Sequence, residues 1–311
     1  MRHEINAAWI LRSYGKRSYM EEIRLRACGK VNLGLDVTGR RPDGYHLVRM
    51  IMQTVPVWDE ITVRRLSEGD GRILLSCDLP EIPSDERNLA WRAADLFRKE
   101  QNVTAGVQIM IRKQIPAAAG MAGGSADAAG VLEAMRQLFV PEIPAEEMDR
   151  MALRLGADVP FCLRRGTYLA EGIGEKLTKV GDLPHCFMVI VKPDFGVSTP
   201  WAYQALDEYL EQYGADPEGL HPDIDGIIQA LQKGDLPETA AHMENILELP
   251  VAREYPVISE IEIHLMEAGA LKAVMSGSGP TVFGIFTDEK KANKALEQIG
   301  GERYGKFKVE F

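Results

Sequence analysis

The sequence contains few cysteines, and their spacing gives them no special role. The four stand at positions 28, 77, 162 and 186, without a CxxC pair and without histidines at zinc-site spacing. A disulfide framework or a zinc site would need such spacing. We therefore interpret the cysteines as reduced thiols and expect a cytoplasmic protein.

Other absences exclude further classes of protein. No apolar run approaches the roughly 18 residues of a transmembrane helix, so we do not expect a membrane protein. The net charge is −10 without a dense cluster of lysine and arginine, which argues against a nucleic-acid partner. The nucleotide-binding pattern GxxxxGK[ST] is missing, and so are internal repeats and low-complexity tracts.

Length and composition predict two globular domains behind a short extension. Residues 1–19 carry several basic groups but no apolar signal core and no small-residue cleavage site, so we interpret them as an extension that is disordered or not native. The remaining chain is long enough for more than one core. A change in the residue pattern near 179–187 predicts a domain boundary there, with domains over residues 20–180 and 181–311.

Hydrophobic periodicity predicts an α+β chain. Residues 22–38 alternate apolar and polar side chains, which predicts a long half-buried strand with Lys30 and Asn32 on its non-core face. The turn RPDGYH then leads to a second strand near 47–55. Further strands are predicted at 107–111, 188–191, 271–275, 281–286 and 307–311, and helices at 86–100, up to Pro141, 145–155, 200–212, 223–233, 237–247, 256–268 and 288–299.

The segment GMAGGSAD, at 120–127, is the strongest functional signal. It lies between a predicted strand and a predicted helix, where backbone N–H groups converge and the helix dipole favours an anion. Small residues let phosphate oxygens approach, and Ser125 can cap the helix or reach a metal ion. The motif predicts a phosphate-binding loop, although a tight turn with glycines for packing explains the same residues.

Two charged residues suggest a function only when they are considered together with this loop. Alone, Lys30 would be a surface residue, and Asp158, in GADVP, would be a turn residue. Phosphoryl transfer needs a cradle for phosphates, a cation near the transferred group and a carboxylate near the attacking hydroxyl. The chain contains these parts in order, and the turn SGSGPT at 276–281 offers further backbone donors. We therefore predict a small-molecule kinase.

Together these segments resemble the GHMP kinases, which include galactokinase, homoserine kinase, mevalonate kinase and phosphomevalonate kinase. The likeness covers about residues 20–311, and DGYH with GADVP is similar to a branch that acts on a nucleotide-linked polyol. It implies a two-domain α+β fold, with an N-terminal domain like ribosomal protein S5 domain 2 and a ferredoxin-like C-terminal domain. It also implies ATP and Mg²⁺ as cofactors, unassigned metal ligands and a small-molecule substrate that carries cytidine diphosphate. A homodimer is compatible with it.

The resemblance also implies roles for individual residues. Asp158 matches the proposed base and Lys30 its partner. The positions that match substrate-binding residues are Asn32, Tyr45, His46, Thr199 and Tyr203, the tyrosines and the histidine around the cytosine. The positions that match ATP-binding residues are Asn88, Leu89, Lys113, Pro116, Ala117, Ala118, Ala119, Gly120, Met121, Ala122, Gly123, Gly124, Ser125 and Ala126.

One departure from the family concerns the loop. Relatives often have a nearly continuous glycine run where this chain has Ala118, Ala119 and Ala122. Alanine keeps the N–H groups but disfavours positive φ angles. The resemblance therefore predicts the role of the loop more firmly than its conformation.

Two other functions stay open at this point. One is a different GHMP kinase, of the mevalonate or homoserine type, and the other is a non-catalytic nucleotide or sugar sensor on the same fold. The presence of both Lys30 and Asp158 favours an enzyme. RNA binding, suggested only by the S5-like half, does not fit the net charge of −10.

Overall fold

The structure, a computed structural model, describes residues 21–213, 220–300 and 304–311. The predicted extension over residues 1–19 lies outside the described residues. The chain divides into two compact units. The first contains the chain up to Ala27, Trp58–Gln114 and Gly124–Leu163, and the second contains Cys28–Val57, Ile115–Gly123 and Arg164–Phe311.

This division does not coincide with the predicted boundary between residues 180 and 181. The strands β1 (Glu22–Arg40) and β2 (His46–Arg65) are 19 and 20 residues long, and each passes from one unit into the other. The alternation of apolar and polar residues is the same on both sides of such a crossing, so the sequence pattern does not reveal where a strand passes between units. The boundary near residue 180 stays a prediction.

The first unit combines a small sheet with helices. The last residues of β2 pair antiparallel with β4, and β4 pairs parallel with β3. Gly130 lets helix α2 lie close to the strands, because a Cβ there would be 3.1 Å from side-chain atoms of Leu25 and Ile61. The elements after β2 are β3 (Ile73–Cys77), α1 (Leu89–Glu100), β4 (Val107–Arg112), α2 (Gly123–Phe139), α3 (Ala145–Leu155) and α4 (Val159–Arg164).

The second unit contains a four-stranded antiparallel sheet in the order β10-β7-β9-β8. Helices connect β7 to β8 and β9 to β10, which is the split βαβ arrangement of ferredoxin-like domains and confirms that prediction. The first half of β2 pairs with β5, and β5 pairs with β6. The elements are β5 (Thr167–Gly172), β6 (Lys176–Lys179), β7 (Phe187–Pro193), α5 (Thr199–Tyr213), α6 (Ile224–Lys233), α7 (Leu236–Ala241), α8 (Glu248–Glu254), α9 (Val257–Glu267), β8 (Lys272–Met275), β9 (Val282–Phe286), α10 (Glu289–Gln298) and β10 (Tyr304–Glu310).

The long first strand is confirmed, but the prediction that it is half-buried is wrong for its second half. From Gly29 to Val37 both faces of β1 are buried, so the polar face with Lys30 and Asn32 is covered. The cover comes from distant segments: Met121 accepts a hydrogen bond from the Lys30 backbone, and Leu35 exchanges backbone hydrogen bonds with residues 244–246. Alternation of residue types cannot show such cover.

The predicted helix over 237–247 is also wrong. The chain forms α7, leaves the helix after Ala241 and starts α8 only at Glu248. Between them, Asn245 forms an isolated parallel bridge with Leu35. Its side-chain amide donates to the carbonyl oxygens of Met275 and Gly277, both at 2.8 Å. Tertiary hydrogen bonds thus replace the helix that the periodicity predicts.

No helix in the described part of the chain is both long enough and apolar enough to cross a membrane.

Candidate active site

The loop that precedes α2 has a backbone conformation that is typical of anion-binding sites. Residues 118, 120 and 122 have φ angles of 47°, 70° and 56°, whereas the described residues between them do not have positive φ. Alternation between right-handed and left-handed conformations turns successive N–H groups toward one side and creates a concave nest for an anion. Ala117, Ala118 and Gly124 are exposed, so the backbone here is accessible. The geometry suits the phosphates of a nucleotide.

The two alanines with positive φ are held in place by packing. A left-handed alanine costs about 1–2 kcal/mol, so neighbouring contacts must impose the conformation. The carbonyl oxygen of Met121 accepts a hydrogen bond from the Lys30 backbone at 3.1 Å, and that of Gly120 accepts one from the Ser276 hydroxyl at 3.1 Å. A Cβ on Gly120 would collide with the Ser276 carbonyl oxygen. The loop therefore has a defined shape despite its departure from glycine.

Helix α2 continues from this loop. The first four N–H groups of a helix lack partners within it and carry the positive end of its dipole. Gly123, Gly124, Ser125 and Ala126 occupy this turn, with Gly124 exposed, Ser125 partly exposed and Ala126 buried. The predicted anion site at a helix start thus has the local structure that it requires.

Lys30 lies beside the loop, because its backbone N–H donates to the Met121 carbonyl oxygen. Its side chain is buried, the residue being 5% exposed, and its amine donates to the Asn32 side-chain oxygen at 2.6 Å. Among the described residues no carboxylate forms an ion pair with Lys30. A buried ammonium with only a neutral partner is costly, unless an anionic ligand completes the site. This arrangement favours a role for Lys30 beside a phosphate.

The turn 276–281 lies against Lys30 and Asn32. The Ser276 hydroxyl accepts a hydrogen bond from the Asn32 backbone at 3.2 Å. A Cβ on Gly277 would lie 3.3 Å from the Lys30 amine and 3.3 Å from the Asn32 side-chain oxygen. Gly277 also has a φ of 57°, so both space and conformation require glycine there. The predicted SGSGPT turn therefore meets the lysine strand and the loop in one place.

Two partly buried glutamates lie beside the strand that leads into this turn. Glu248 accepts a hydrogen bond from the Met275 backbone at 2.8 Å and forms a side-chain hydrogen bond with Glu262. Burial raises the pKa of both, and for Glu262 burial and the Glu248 charge together raise the pKa to about 9. The Lys272 charge opposes both shifts, and the Glu244 charge adds to the rise in the pKa of Glu248. Glu262 is therefore the proton donor of the pair at neutral pH.

This pair predicts a pH-dependent stability. Because the folded pKa of Glu262 lies above its ordinary value of 4.5, its stabilising contribution is complete at low pH and disappears as the pH rises toward about 9. Glu262→Gln keeps a neutral donor, so at pH 9.5 it should exceed the wild type in unfolding free energy by roughly 1–2 kcal/mol. Urea unfolding at pH 6 and pH 9.5 measures this. Glu260→Gln, exposed on the same helix, should follow the wild type, and a pH-independent difference for Glu262→Gln would contradict the assignment.

His46 and Tyr203, which match substrate-binding residues of the family, lie against each other. Their rings stack with centroids 4.8 Å apart and an interplanar angle of 26°. The Nε2 atom of His46 lies 2.8 Å from a carboxylate oxygen of Asp207, and Tyr45 beside it is 60% exposed. A planar base can stack on such an exposed ring, and the remaining His46 nitrogen can form a hydrogen bond with it. Thr199, predicted nearby, pairs its hydroxyl with that of Ser278 at 2.9 Å.

Sequence reasoning missed the residues that orient His46. Asp207 lies four residues after Tyr203 on α5, so both project from one face of the helix. Arg40 donates to the second oxygen of Asp207 at 3.0 Å. The i, i+4 spacing after a predicted stacking residue was the available signal for Asp207. No local signal pointed to Arg40, which is 167 residues away in the chain.

Asp158 belongs to the first unit. It directly precedes α4 and its side chain is partly exposed. Its backbone oxygen accepts from Cys162 at 3.1 Å, whereas the side chain has no hydrogen-bond or ion-pair partner among the described residues of that unit. An unengaged carboxylate of this kind is free to accept a proton or a hydrogen bond from a substrate.

Asn88, Leu89 and Lys113, which match ATP-binding residues of the family, also belong to the first unit, and each has contacts within it. The Asn88 side chain caps α1, accepting from Ala90 at 2.9 Å and donating to the Pro83 oxygen at 2.7 Å. Leu89 lies 3.8 Å from the position of a Cβ on Gly124, so α1 and α2 begin beside each other. The Lys113 amine is buried between two carboxylates.

The described residues contain no cluster of three His, Cys, Asp or Glu side chains that could hold a metal ion. Mg²⁺ is commonly held by one or two carboxylates together with substrate phosphates, rather than by a cage made of protein alone.

Comparison with known proteins agrees with these features. Residues 88–166 match the GHMP kinases N terminal domain, and residues 227–306 match the GHMP kinases C terminal domain. The 4-diphosphocytidyl-2-C-methyl-D-erythritol kinase of Lachnospira eligens is 48% identical over 287 residues, which cover 91% of this chain and 96% of that protein. The protein of the same name from Clostridium botulinum (strain Kyoto / Type A2) is 46% identical, covering 88% of this chain and 94% of its own.

A solved structure extends the likeness to the fold. The crystal structure of a 4-(cytidine 5'-diphospho)-2C-methyl-D-erythritol kinase matches with a TM-score of 0.75 and 32% identity, over 92% of this chain and 98% of that one. The match covers both parts of the predicted GHMP kinase fold, which is thereby confirmed. The chain therefore belongs to the 4-diphosphocytidyl-2-C-methyl-D-erythritol kinase family of the GHMP kinases.

Proposed function

We propose that this protein transfers the γ-phosphoryl group of ATP to the 2-hydroxyl of 4-diphosphocytidyl-2-C-methyl-D-erythritol, a step of non-mevalonate isoprenoid synthesis. The observation that carries the proposal is the stacked and hydrogen-bonded His46, beside an exposed Tyr45. A pyrimidine base needs an aromatic face and a directed hydrogen-bond partner, and mevalonate or homoserine would need neither. The high identity to relatives of that name supports the same substrate.

ATP is the phosphoryl donor in this proposal. The nest at residues 118–122 and the start of α2 hold its phosphates through backbone N–H groups, which suits a protein with a net charge of −10. Mg²⁺ would be held by those phosphates, with the Ser125 hydroxyl as the oxygen ligand that we propose for it. The ion would offset negative charge on the transferred group. The cytoplasm is the proposed place of action, because ATP and reduced thiols are found there.

Lys30 and Asp158 act on one substrate hydroxyl in this proposal. The hydroxyl oxygen forms a bond to the γ-phosphorus, the bond from that phosphorus to the β–γ bridging oxygen breaks, and ADP leaves. The hydroxyl proton passes to Asp158, while the Lys30 ammonium offsets charge on the transferred group. Asn32 fixes the Lys30 amine at 2.6 Å. Because phosphoryl transfer is largely dissociative, orientation of the hydroxyl by Asp158 is part of its effect.

Release of ADP from Mg-ATP tests the function. The proposal expects turnover with 4-diphosphocytidyl-2-C-methyl-D-erythritol and at most background rates with mevalonate, homoserine or galactose. Turnover with mevalonate or homoserine alone would favour the other kinase types. Nucleotide binding without any ADP release, across all acceptors, would favour a sensor.

Tyr203→Ala should weaken binding of CDP roughly tenfold or more, since stacking of a base on an aromatic ring is worth about 1–3 kcal/mol. Isothermal titration with CDP measures this, and Tyr203→Phe should bind within about twofold of the wild type because it keeps the ring. Tyr209→Ala makes the same change elsewhere on α5 and is the matched control. Equal CDP affinity in Tyr203→Ala and the wild type would contradict the cytosine assignment.

A further inference from the structure

A buried cluster of three charged residues joins the segments on either side of the phosphate-binding loop. The Lys113 amine lies 2.5 Å from Asp59 and 2.8 Å from Asp127. The three side chains are 4%, 0% and 4% exposed. All three residues belong to the first unit, so the cluster lies within one compact body. Groups this deeply buried do not bind solvent ions.

The cluster fixes the residues that precede the loop. Asp59 accepts a hydrogen bond from the Gln114 backbone at 2.6 Å through its second oxygen. The Lys113 backbone donates to Asp78 at 2.9 Å. The segment that follows β4 is therefore held through its backbone and through the Lys113 side chain before the loop begins at Ile115. Such double attachment limits how far the chain can shift or rotate.

Asp127 fixes the residues that follow the loop. It is the fifth residue of α2, one turn after Gly123, where the proposed phosphate donors lie. A helix is stiff over one turn, so a constraint on Asp127 also sets the position of the N–H groups before it. Lys113 thus connects the strand that enters the loop to the helix that leaves it.

The cluster contains two carboxylates but only one ammonium, so it can remain buried only if one carboxylate is protonated. One ammonium faces two carboxylates, and the Oδ1 atom of Asp127 has no hydrogen-bond partner. Burial raises the pKa of Asp127 to about 8, the Asp59 charge adds to the rise and Lys113 opposes it. With Asp127 protonated, the cluster contains one ammonium and one carboxylate and is neutral overall near pH 7. The neutral form is the one that can remain buried.

We propose that Asp59, Lys113 and Asp127 form a positioning brace that sets the spacing of the two ends of the phosphate-binding loop and thereby controls nucleotide affinity. None of the three side chains contacts the nucleotide in this account. The proposed brace rests on the proposed function only in taking ATP as the ligand. Preorganised donors hold an anion more tightly than mobile ones, because the ordering cost is already met before binding.

Asp127→Ala and Asp127→Asn test the brace as a matched pair. Asparagine keeps the shape and a hydrogen bond to Lys113, and it leaves one ammonium and one carboxylate. Its Kd for ATP should stay within about twofold of the wild type. Alanine favours the helix but removes the link to Lys113, so the Kd and KM for ATP should rise roughly tenfold while kcat at saturating ATP changes less than threefold. The Kd for CDP, measured at the same time, should not change.

A role in stability alone gives a different result. In that case Asp127→Ala would lower the melting temperature and leave the Kd for ATP at the wild-type value, which would overturn the brace. An equal loss of ATP affinity in Asp127→Asn would overturn it as well, because shape and hydrogen bonding are kept there. Should Asp127→Ala fail to fold, Asp127→Ser gives the same comparison, since its shorter side chain cannot reach Lys113. Titration with ATP needs no turnover, so absence of kinase activity in the wild type would contradict the proposed function and not the brace.

Discussion

Asp158→Asn should lower kcat by roughly 10²–10⁴, because the asparagine amide cannot accept the proton of the substrate hydroxyl. The Kd values for CDP and ATP should change little, since the side chain has no partner in its own unit whose loss would disturb the fold. Pre-steady-state measurement of ADP formation separates this loss in chemistry from product release. The expected loss lies in kcat and in kcat/KM together, as for an interaction made in the transition state.

Asp95→Asn is the matched control for this variant. Asp95 lies on α1 of the same unit and pairs with Lys99 on the surface, so its loss should leave kcat unchanged. A loss of less than threefold in Asp158→Asn would remove the acid–base role. A loss near 10²-fold together with unchanged pH dependence would assign Asp158 to orientation of the hydroxyl rather than to proton transfer.

Lys30→Met should lower kcat by roughly 10²–10³, the usual effect of removing one group that stabilises developing charge. Methionine keeps the length and the apolar stem of lysine but removes the ammonium. Because that ammonium is buried against only a neutral amide, the variant should be at least as stable as the wild type. Loss of activity without loss of stability is the signature of a functional charge.

Lys192→Met is the matched control for Lys30→Met. Lys192 belongs to the same unit and pairs with Gly305 across β7 and β10; burial lowers its pKa, and Asp194 opposes the shift. Its substitution should leave kcat within about twofold. A strongly reduced melting temperature in Lys30→Met, with activity lost in proportion to unfolded protein, would instead assign Lys30 to stability.

Local pattern in the sequence predicted much of the fold for identifiable reasons. β1, β4 and β7 have strict alternation or short apolar runs between turn signals, and they lie close to their predicted positions. The loop before α2 was predicted because small residues, an anion-binding helix start and the strand before it are adjacent in the chain. These features need no knowledge of distant contacts.

The features that sequence reasoning missed depend on distant contacts. Burial of both faces of β1 comes from residues 121, 244 and 276, and the break between α7 and α8 comes from the hydrogen bonds of Asn245. The family resemblance implied that Lys113 binds ATP, whereas its amine is buried between Asp59 and Asp127. A pattern along the chain cannot show that two carboxylates, 54 and 14 residues away, meet one lysine.

The left-handed alanines illustrate the limit of residue preferences. Intrinsic preference argues against positive φ at Ala118 and Ala122, yet both adopt it. Hydrogen bonds to Lys30 and Ser276 impose the conformation from outside the loop. The function of the loop depends on its N–H groups, which alanine keeps, so the departure from glycine changes the cost of the conformation and not its chemistry.

The position of the transferred phosphate on the product decides whether the 2-hydroxyl is the acceptor. The purified protein is incubated with Mg-ATP and 4-diphosphocytidyl-2-C-methyl-D-erythritol labelled with ¹³C, and the product is followed by ³¹P NMR. The account predicts a new phosphomonoester signal coupled to carbon 2 of the polyol, an unchanged diphosphate linkage and one ADP for each product. A monoester at another carbon, or ADP without any phosphorylated polyol, would contradict it.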